Sequence, residues 1–270
     1  MRQAIGVIDS GVGGLTVAYE LMRQLPKEEI IYVGDTLRCP YGSRPDYEVL
    51  QFTKEMIQFL MYKNIKMIVI ACNTATAFAL EEMKKILPIP IIGVIQPGAR
   101  TAIKMTENQK IGVIGTEGTI RSNAYKEALQ QIHSELEVTS LACPLFVPMV
   151  EKGILYGEQA EQVIEETLRP LKITTNIDTL VLGCTHYPLL ETTIKKVMGP
   201  DVHIISSSEE TARETSTILE MNNQLYKGDQ EPVHQFYATG DVNIFKQIAD
   251  GIFLEKMPQV LQASFKKIDL

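Results

Sequence analysis

The chain has 270 residues, 45% of them hydrophobic, which is enough to bury a large core in one large domain or two small ones. Its formal net charge of -7 and pI near 5.3 argue against a surface for nucleic acid, because such binding depends on clustered Lys and Arg. The N-terminal apolar run is too short for a signal peptide, and no stretch approaches the roughly 18 apolar residues of a membrane span. We therefore expect a cytoplasmic protein that binds neither nucleic acid nor membrane.

Short β-branched runs alternate with amphipathic segments in the first part of the chain, a pattern typical of βα units around a largely parallel sheet. The first predicted strand runs into SGVGG, whose glycines permit a tight turn before a helix. The pattern breaks at Gln96, Pro97 and Gly98. Up to that point the predicted strands cover residues 4–9, 29–35, 66–71 and 90–95, and the predicted helices cover residues 14–25, about 46–60 and 75–87.

The pattern restarts after Lys110 with IGVIGTEGTI, which parallels the opening IGVIDSGVGG closely enough to indicate an internal repeat. The segment that carries Glu151 contains two prolines, which favour a loop or a short helix. A longer helix should bend or stop before Pro170. The predicted strands of this half cover residues 136–142, 178–183 and 202–206, and the predicted helices cover residues 121–133, 158–168 and 188–197.

The last part of the chain has no counterpart in the second half. It contains a predicted helix at 208–221, a polar insert and the strand-like QFYATG, and we assign it to the first domain. The sequence thus predicts an α/β fold of two pseudo-symmetric domains with mostly parallel sheets and an active site in the cleft between them. The first domain would comprise residues 1–96 plus 208–270, and the second would comprise residues 97–207.

Polar and nucleophilic side chains follow several predicted strands at the point where each strand ends. In parallel α/β sheets, ligands bind beyond the carboxyl ends of the strands, where helix N-termini present unpaired N–H groups to anions. A thiol at a helix N-terminus also has a lowered pKa, so that thiolate is accessible near neutral pH. The side chains at these positions are Asp9, Ser10, Cys72, Asn73, Thr116, Cys184 and Thr185.

Two of the four cysteines occupy matching contexts, IVIACNTAT around Cys72 and LVLGCTHYP around Cys184. A single cysteine at a buried strand end is usually a small apolar residue that packs well, but here small polar residues follow both cysteines. A carbon acid that is deprotonated on one face and reprotonated on the other needs a base and an acid on opposite sides, which a thiolate and a thiol supply. The pair therefore favours a reversible stereoinversion.

The remaining cysteines, Cys39 and Cys143, are interpreted as structural. A reducing compartment and a chain of this size argue against disulfides, and the absence of a CxxC pair argues against a structural zinc site. SGVGG lacks the lysine of a Walker loop and the full spacing of the dinucleotide fingerprint. We therefore expect neither a metal nor a cofactor.

Simpler interpretations remain open for the polar residues beside the cysteines. A lone histidine such as His186 is more often structural, and Asp9 could cap a helix. Thr74, Thr76 and Thr185 could also act only as caps.

The motifs GVIDSGVGGLTV, YVGDTLRCPYGSR, IVIACNTAT, GVIGTEGTI and VLGCTHYPLL span nearly the whole chain. In these motifs the sequence resembles the glutamate racemases, within the cofactor-independent aspartate/glutamate racemase superfamily. The paired Cys-Asn-Thr and Cys-Thr-His segments are typical of the superfamily, whereas DSGVGGLTV and PYGSR are typical of the glutamate enzymes. The resemblance implies a role in D-glutamate supply for peptidoglycan, and we further expect a homodimer.

The resemblance also implies roles for individual residues. Cys72 would deprotonate D-glutamate and Cys184 would deprotonate the L-enantiomer, each reprotonating the product of the other. Asp9 would assist Cys72, and His186 with Glu151 would assist Cys184. The implied substrate contacts are Asp9, Ser10, Tyr41, Gly42, Ser43, Asn73, Thr74, Thr119, Thr185 and His186.

Three alternatives remain open on the sequence alone. The nearest is an aspartate racemase of the same superfamily. From a different class, the chain could be a noncatalytic sensor whose two cysteines form a disulfide on signal. A metal site of Cys72, Cys184, His186 and Asp9 is the third, which is disfavoured because a metal would quench the thiolates.

Overall fold

The computed structural model describes residues 3–253 and 259–265, and the chain forms two compact units. The first unit contains residues 1–94 and 208–270, and the second contains residues 95–207. The chain passes from the first unit to the second at Ile95, two residues before the expected boundary at 96/97, because Ile95 and Gln96 belong to a helix of the second unit. Residues 1–2, 254–258 and 266–270 of the expected first domain lie outside the described residues.

Strands and helices alternate through most of the chain, as expected for βα units. The strands are β1 (Ala4–Asp9), β2 (Ile30–Gly34), β3 (Ile65–Ile70), β4 (Ile91–Gly93), β5 (Lys110–Gly115), β6 (Glu137–Ala142), β7 (Thr179–Gly183), β8 (His203–Ile205), β9 (Gln235–Ala238) and β10 (Val260–Gln262). The helices are α1 (Leu15–Gln24), α2 (Asp46–Met61), α3 (Asn73–Ile86), α4 (Ile95–Met105), α5 (Glu117–Arg121), α6 (Ala124–Ile132), α7 (Phe146–Glu151), α8 (Glu158–Thr174), α9 (Glu191–Met198), α10 (Ser208–Met221) and α11 (Val242–Phe253).

Each unit contains one sheet, and every pairing between described strands is parallel. The first sheet has the strand order β10-β9-β2-β1-β3-β4, and the second has the order β6-β5-β7-β8. The order β2-β1-β3-β4 therefore recurs in the second unit, as the internal repeat predicts. The predicted α/β fold with mostly parallel sheets is confirmed.

The first sheet is covered by helices on both faces, and its strands divide their side chains between two apolar cores. Ile5 and Val7 of β1 lie in the core shared with α1 and α10. Ile8 points to the opposite core, which is shared with α2 and α3. This alternation places apolar residues on both faces and explains the nearly continuous apolar runs of the strands.

The second sheet buries one face against α8. Ile164 and Leu168 of this helix pack in the same core as Ile114 of β5 and Leu182 of β7. All four side chains are at most 1% exposed. The strand ends that carry the candidate residues therefore rest on a packed scaffold in each unit.

Two prolines lie inside helices, although the sequence predicted a break in the βα pattern at Pro97 and the bend or end of a helix before Pro170. Pro97 occupies the first turn of α4, where its missing N–H has no helical partner to lose. Pro170 lies within α8 on an exposed face, while the apolar stripe of the helix continues to the buried Leu171. Packing of that stripe extends α8 beyond the predicted end at residue 168.

The helix at 208–221 and the strand of QFYATG are confirmed, whereas α11 and β10 were not predicted. The described helices include none that combines the length and apolar character required of a membrane span.

Candidate active site

The first candidate residue, Asp9, closes β1 and is fully buried. Its Oδ2 accepts a hydrogen bond from the backbone N–H of Gly11 at 2.9 Å, which tightens the turn after the strand. Tyr32 donates its hydroxyl to the carbonyl of Gly11 at 2.8 Å and so supports the same turn from β2. Burial and the nearby Asp9 carboxylate raise the pKa of Tyr32 well above its usual range, which keeps it a donor.

Cys72 follows β3 and caps α3. Its Sγ accepts a hydrogen bond from the backbone N–H of Ala75 at 3.4 Å and lies 3.5 Å from the hydroxyl of Ser10. The sulfur thus faces the positive end of the α3 dipole, an arrangement that favours negative charge there. Asn73 and Thr74 begin the helix and are also buried.

β1 and β3 are neighbouring parallel strands in which Ile8 is paired with Ile70. Asp9, Ser10 and Cys72 therefore leave the sheet at the same end, as the strand-end argument predicts. The backbone N–H of Ala71 donates to the carbonyl of Ile8, which holds the two strand ends side by side.

The loop after β2 carries three of the expected substrate contacts. Tyr41 and Gly42 are buried, whereas Ser43 is exposed. The hydroxyl of Tyr41 donates to Oδ2 of Asp35 at 2.5 Å. Burial and the Asp35 carboxylate raise the pKa of Tyr41 well above its usual range.

Cys184 follows β7 in the second unit and precedes a 3₁₀ turn at Tyr187–Leu190. Its Sγ lies 3.9 Å from Nδ1 of His186, and Nε2 of the same ring lies 2.8 Å from Oε1 of Glu151. His186 is 2% exposed, whereas the Glu151 side chain is 36% exposed. The structure therefore joins three of the predicted residues into one chain of contacts that runs from a buried thiol to a partly solvated carboxylate.

Three threonines of the second unit, Thr116, Thr119 and Thr185, follow the ends of β5 and β7. Gly115 of β5 is paired with Gly183 of β7, so Thr116 and Cys184 leave the sheet side by side. Thr116 caps α5 by accepting a hydrogen bond from the backbone N–H of Thr119 at 3.2 Å. Thr119 is buried, and so is Thr185 next to the cysteine.

A second buried thiol, Cys143, lies after β6. Burial, and then the proximity of Cys184, raise the pKa of Cys143 far above its usual range. The hydroxyl of Tyr187 donates to the carbonyl of Cys143 at 2.9 Å and is itself fully buried. These contacts support the interpretation of Cys143 as a packing residue in the same core as Cys184.

The two candidate thiols lie in different surroundings, although their strand positions correspond. Cys72 caps an α-helix beside the hydroxyl of Ser10. Cys184 instead precedes a 3₁₀ turn and lies beside an imidazole. The repeat therefore conserves strand order and sulfur position but supplies each thiol with different polar neighbours.

Two residues beside the candidate site were not singled out from the sequence. Asp35 directly follows β2, so the rule that selected the other strand ends could have selected it. Tyr32 lies in the middle of that strand, and its hydroxyl reaches Gly11 only because the two strands pair. No local sequence signal marks it.

Comparison with known proteins shows a family match over most of the chain. The family model described as Asp/Glu/Hydantoin racemase matches residues 5–215. The chain belongs to this racemase family. The match includes both cysteines and therefore both units.

Individual members of the racemase family match over nearly the full length. The chain is 62% identical to a glutamate racemase of Oceanobacillus iheyensis over 97% of its own length and 95% of the relative. A crystal structure of a glutamate racemase isoform from Bacillus anthracis is 50% identical, with a TM-score of 0.91, and covers 97% of this chain and 96% of that one. A glutamate racemase of Francisella tularensis, solved in complex with D-glutamate, is 35% identical with the same TM-score and covers 97% and 98%.

Proposed function

We propose that this chain is a glutamate racemase, which interconverts L- and D-glutamate by proton transfer at the α-carbon. The observation that carries the proposal is the 62% identity, over almost the whole chain, to a protein that bears this name. The solved relative with D-glutamate supports a small-molecule substrate of the same class.

We assign the proton transfers to Cys72 and Cys184. In one direction, the Cys72 thiolate takes the α-proton of D-glutamate, the C–H bond breaks, and the electron pair is delocalised into the α-carboxylate. The Cys184 thiol then donates its proton to the opposite face, which yields L-glutamate and a Cys184 thiolate. The reverse reaction uses the same groups with exchanged roles, so the atoms balance without a cofactor.

Asp9 is proposed to assist on the Cys72 side. Its carboxylate is fully buried and leaves the sheet at the same end as Cys72. Ser10, at 3.5 Å from the sulfur, is the second polar group there. A buried carboxylate can accept a proton from the substrate ammonium or from the thiol.

His186 and Glu151 are proposed to assist on the Cys184 side. An imidazole that lies between a thiol and a carboxylate can stabilise the thiolate as imidazolium or carry its proton. The 2.8 Å contact to Glu151 orients the ring for this role. Because Glu151 is partly exposed, it also offers a route for proton exchange with water.

The substrate carboxylates and ammonium are proposed to bind to hydroxyls, amides and backbone N–H groups at the strand ends. Such groups bind anions through hydrogen bonds and helix N-termini without requiring a lysine or arginine. The proposed contacts are Asp9, Ser10, Tyr41, Gly42, Ser43, Asn73, Thr74, Thr119, Thr185 and His186.

We further propose that residues 1–96 plus 208–270 and residues 97–207 act as the two domains of the enzyme. The compact units support this division, with the change of unit at Ile95. The enzyme would act in the cytoplasm as a homodimer and supply D-glutamate for peptidoglycan.

The direct test is turnover of purified protein with each enantiomer of glutamate and of aspartate, followed by optical rotation without added cofactor. We expect solutions of D-glutamate and of L-glutamate each to lose their optical rotation, and we expect aspartate to react far more slowly. Faster turnover of aspartate would instead identify an aspartate racemase. No turnover of either amino acid would favour the sensor, and activity that tracks bound metal would favour a metal site.

A further inference from the structure

A polar network outside the proposed proton-transfer groups surrounds Asp35, which directly follows β2 and is fully buried. Oδ1 accepts a hydrogen bond from the hydroxyl of Thr239 at 2.8 Å. Oδ2 accepts one from Nε of Arg38 at 2.6 Å and one from the hydroxyl of Tyr41 at 2.5 Å. One carboxylate thus joins the residue that follows β9 to two points of the loop after β2.

Arg38 balances the charge of this carboxylate and fastens the loop to α2. Its Nη1 donates to Glu55 at 2.5 Å, and its guanidinium carbon lies 3.9 Å from the centroid of the Phe52 ring. Its backbone carbonyl also accepts a hydrogen bond from Nε of Arg44 at 2.8 Å. The guanidinium is therefore held on three sides, by Asp35, Glu55 and Phe52.

The network anchors residues 41–44, the segment that carries three proposed substrate contacts. Tyr41 bonds to Asp35 at one end of this segment, and the backbone N–H of Arg44 donates to the carbonyl of Tyr41 at 3.1 Å at the other. Gly42 and Ser43 lie between these two points. The position of the segment thus depends on where the buried carboxylate holds the Tyr41 hydroxyl.

We propose that Asp35 is a positioning residue, with Arg38 as its counter-charge, which holds Tyr41, Gly42 and Ser43 in the arrangement that binds the carboxylate groups of glutamate. This inference rests on the proposed function. Asp35 acts through the loop and touches neither the α-proton nor the thiols. Its contribution is therefore to substrate affinity, in both directions of the reaction, rather than to the proton-transfer step.

The test compares Asp35→Ala with a matched change at the other end of the same strand. Glu28, just before β2, is also a buried carboxylate, which forms an ion pair with Nζ of Lys66 at 2.6 Å and accepts a hydrogen bond from the backbone N–H of Tyr226 at 2.7 Å. Both alanine variants lose a buried charge and its bonds, so both should lose stability. Only the Asp35 change should affect substrate binding.

We expect Asp35→Ala to raise KM for both glutamate enantiomers by about tenfold, the order of effect of a lost charged hydrogen bond, with kcat nearly unchanged. Asp35→Asn should restore most of the affinity, because the amide can turn its oxygen to Arg38 and Tyr41 and its NH₂ to Thr239. Glu28→Ala should leave KM unchanged. Both D- and L-glutamate are assayed, because equal free energies of the enantiomers require equal kcat/KM in the two directions.

Arg38→Met keeps an apolar stem against Phe52 and provides a second variant if Asp35→Ala does not fold. It should raise KM in the same way. An unchanged KM in a folded Asp35→Ala or Arg38→Met protein would overturn the inference, as would an equal rise in Glu28→Ala. Absence of turnover in the unmodified protein would instead overturn the proposed function, so the two failures are distinguishable.

Discussion

At the scale of single residues, the two proposed bases are distinguished by their neighbours. Cys72 lies at a helix N-terminus beside Ser10, and Cys184 lies beside the imidazole of His186. Both environments can stabilise a thiolate, one through backbone N–H groups and one through a positive ring. The two thiols can have different neighbours in one reversible reaction. Because the enantiomers have equal free energies, the whole reaction must have equal kcat/KM from both sides, but its two proton-transfer steps need not be alike.

Replacement of either base should remove a proton-transfer step. We expect Cys72→Ala and Cys184→Ala each to lower kcat/KM by roughly 10²–10⁴-fold, because one of the two groups that move the proton is missing. Circular dichroism would check the fold. Cys143→Ala is the matched control: it removes a buried thiol from the same unit as Cys184 and should lose some stability while keeping activity. Full activity in either of the first two variants would contradict the assignment.

The contact between His186 and Glu151 gives a second prediction at this scale. Glu151→Gln keeps a hydrogen-bond acceptor near Nε2 but removes the negative charge that favours imidazolium. We expect kcat/KM to fall by about tenfold, equally for both enantiomers. Kinetics from each enantiomer measure this directly. A variant with wild-type kcat/KM would show that the carboxylate charge has no part in the reaction.

At the scale of elements, the connection between β1 and α1 leaves no room for a side chain at Gly14. An added Cβ would approach Cβ of Asp9 within 2.5 Å and Cβ of Ala71 within 3.0 Å. Gly251 in α11 offers the opposite case, because none of the described residues places an atom within 4 Å of its added Cβ. Gly14 therefore permits a close backbone approach at the candidate site, whereas the surroundings of Gly251 do not require a glycine.

We expect Gly14→Ala to destabilise the protein by about 1–3 kcal/mol and to lower activity by displacing Asp9. Gly251→Ala should stabilise it by about 0.5–1 kcal/mol without affecting activity, because alanine is the better helix former. Urea denaturation and the racemisation assay measure both quantities. Wild-type activity in a Gly14→Ala protein would argue that the position of Asp9 is unimportant.

Strands, helices and strand-end residues could be predicted where neighbouring residues in the sequence determine them. They were missed where contacts between distant parts of the chain determine the structure. Cys72 and Cys184 follow apolar strands, so periodicity alone places them at strand ends. Pro97 and Pro170 were interpreted as breaks because the sequence does not reveal which helix turn is first or which face is solvated. One bond of Asp35 comes from Thr239, which directly follows β9 and lies about 200 residues away in sequence, and no local pattern reports such a pairing.

At the scale of the whole molecule, the stability of the fold depends on pH through several buried phenols and one buried thiol, which are kept neutral in the folded state. Burial is the first cause in each case, and neighbouring carboxylates or thiols add to the rise in pKa in all five groups. In Tyr125, a hydrogen bond to Ser207 partly offsets the rise. The groups whose pKa is raised in this way are Tyr32, Tyr41, Tyr125, Cys143 and Tyr187.

The sign of the effect follows from proton binding. Unfolded thiols and phenols have pKa values of about 8.5 and 10, so below about pH 8 these groups are protonated in both states and stability is complete. Above these values the unfolded chain releases protons that the folded chain retains. Each such group should then lower the free energy of unfolding by about 1.4 kcal/mol per pH unit.

We therefore expect the urea midpoint to fall between about pH 9 and pH 11. Tyr187→Phe should make this decline shallower, because one of the phenols no longer titrates. A midpoint that stays constant across this range would contradict the effect of burial on these groups.

The central claim, a transfer between two different thiols, is tested most directly by racemisation in D₂O with early sampling of substrate and product. A thiol that holds the abstracted proton can return only that proton, whereas the opposite thiol has already exchanged with solvent. The account predicts one deuterium at the α-carbon of each product molecule and none in unreacted substrate, starting from either enantiomer. Deuterium in both the unreacted substrate and the product from the outset would contradict the account, as would a product that keeps its original α-proton.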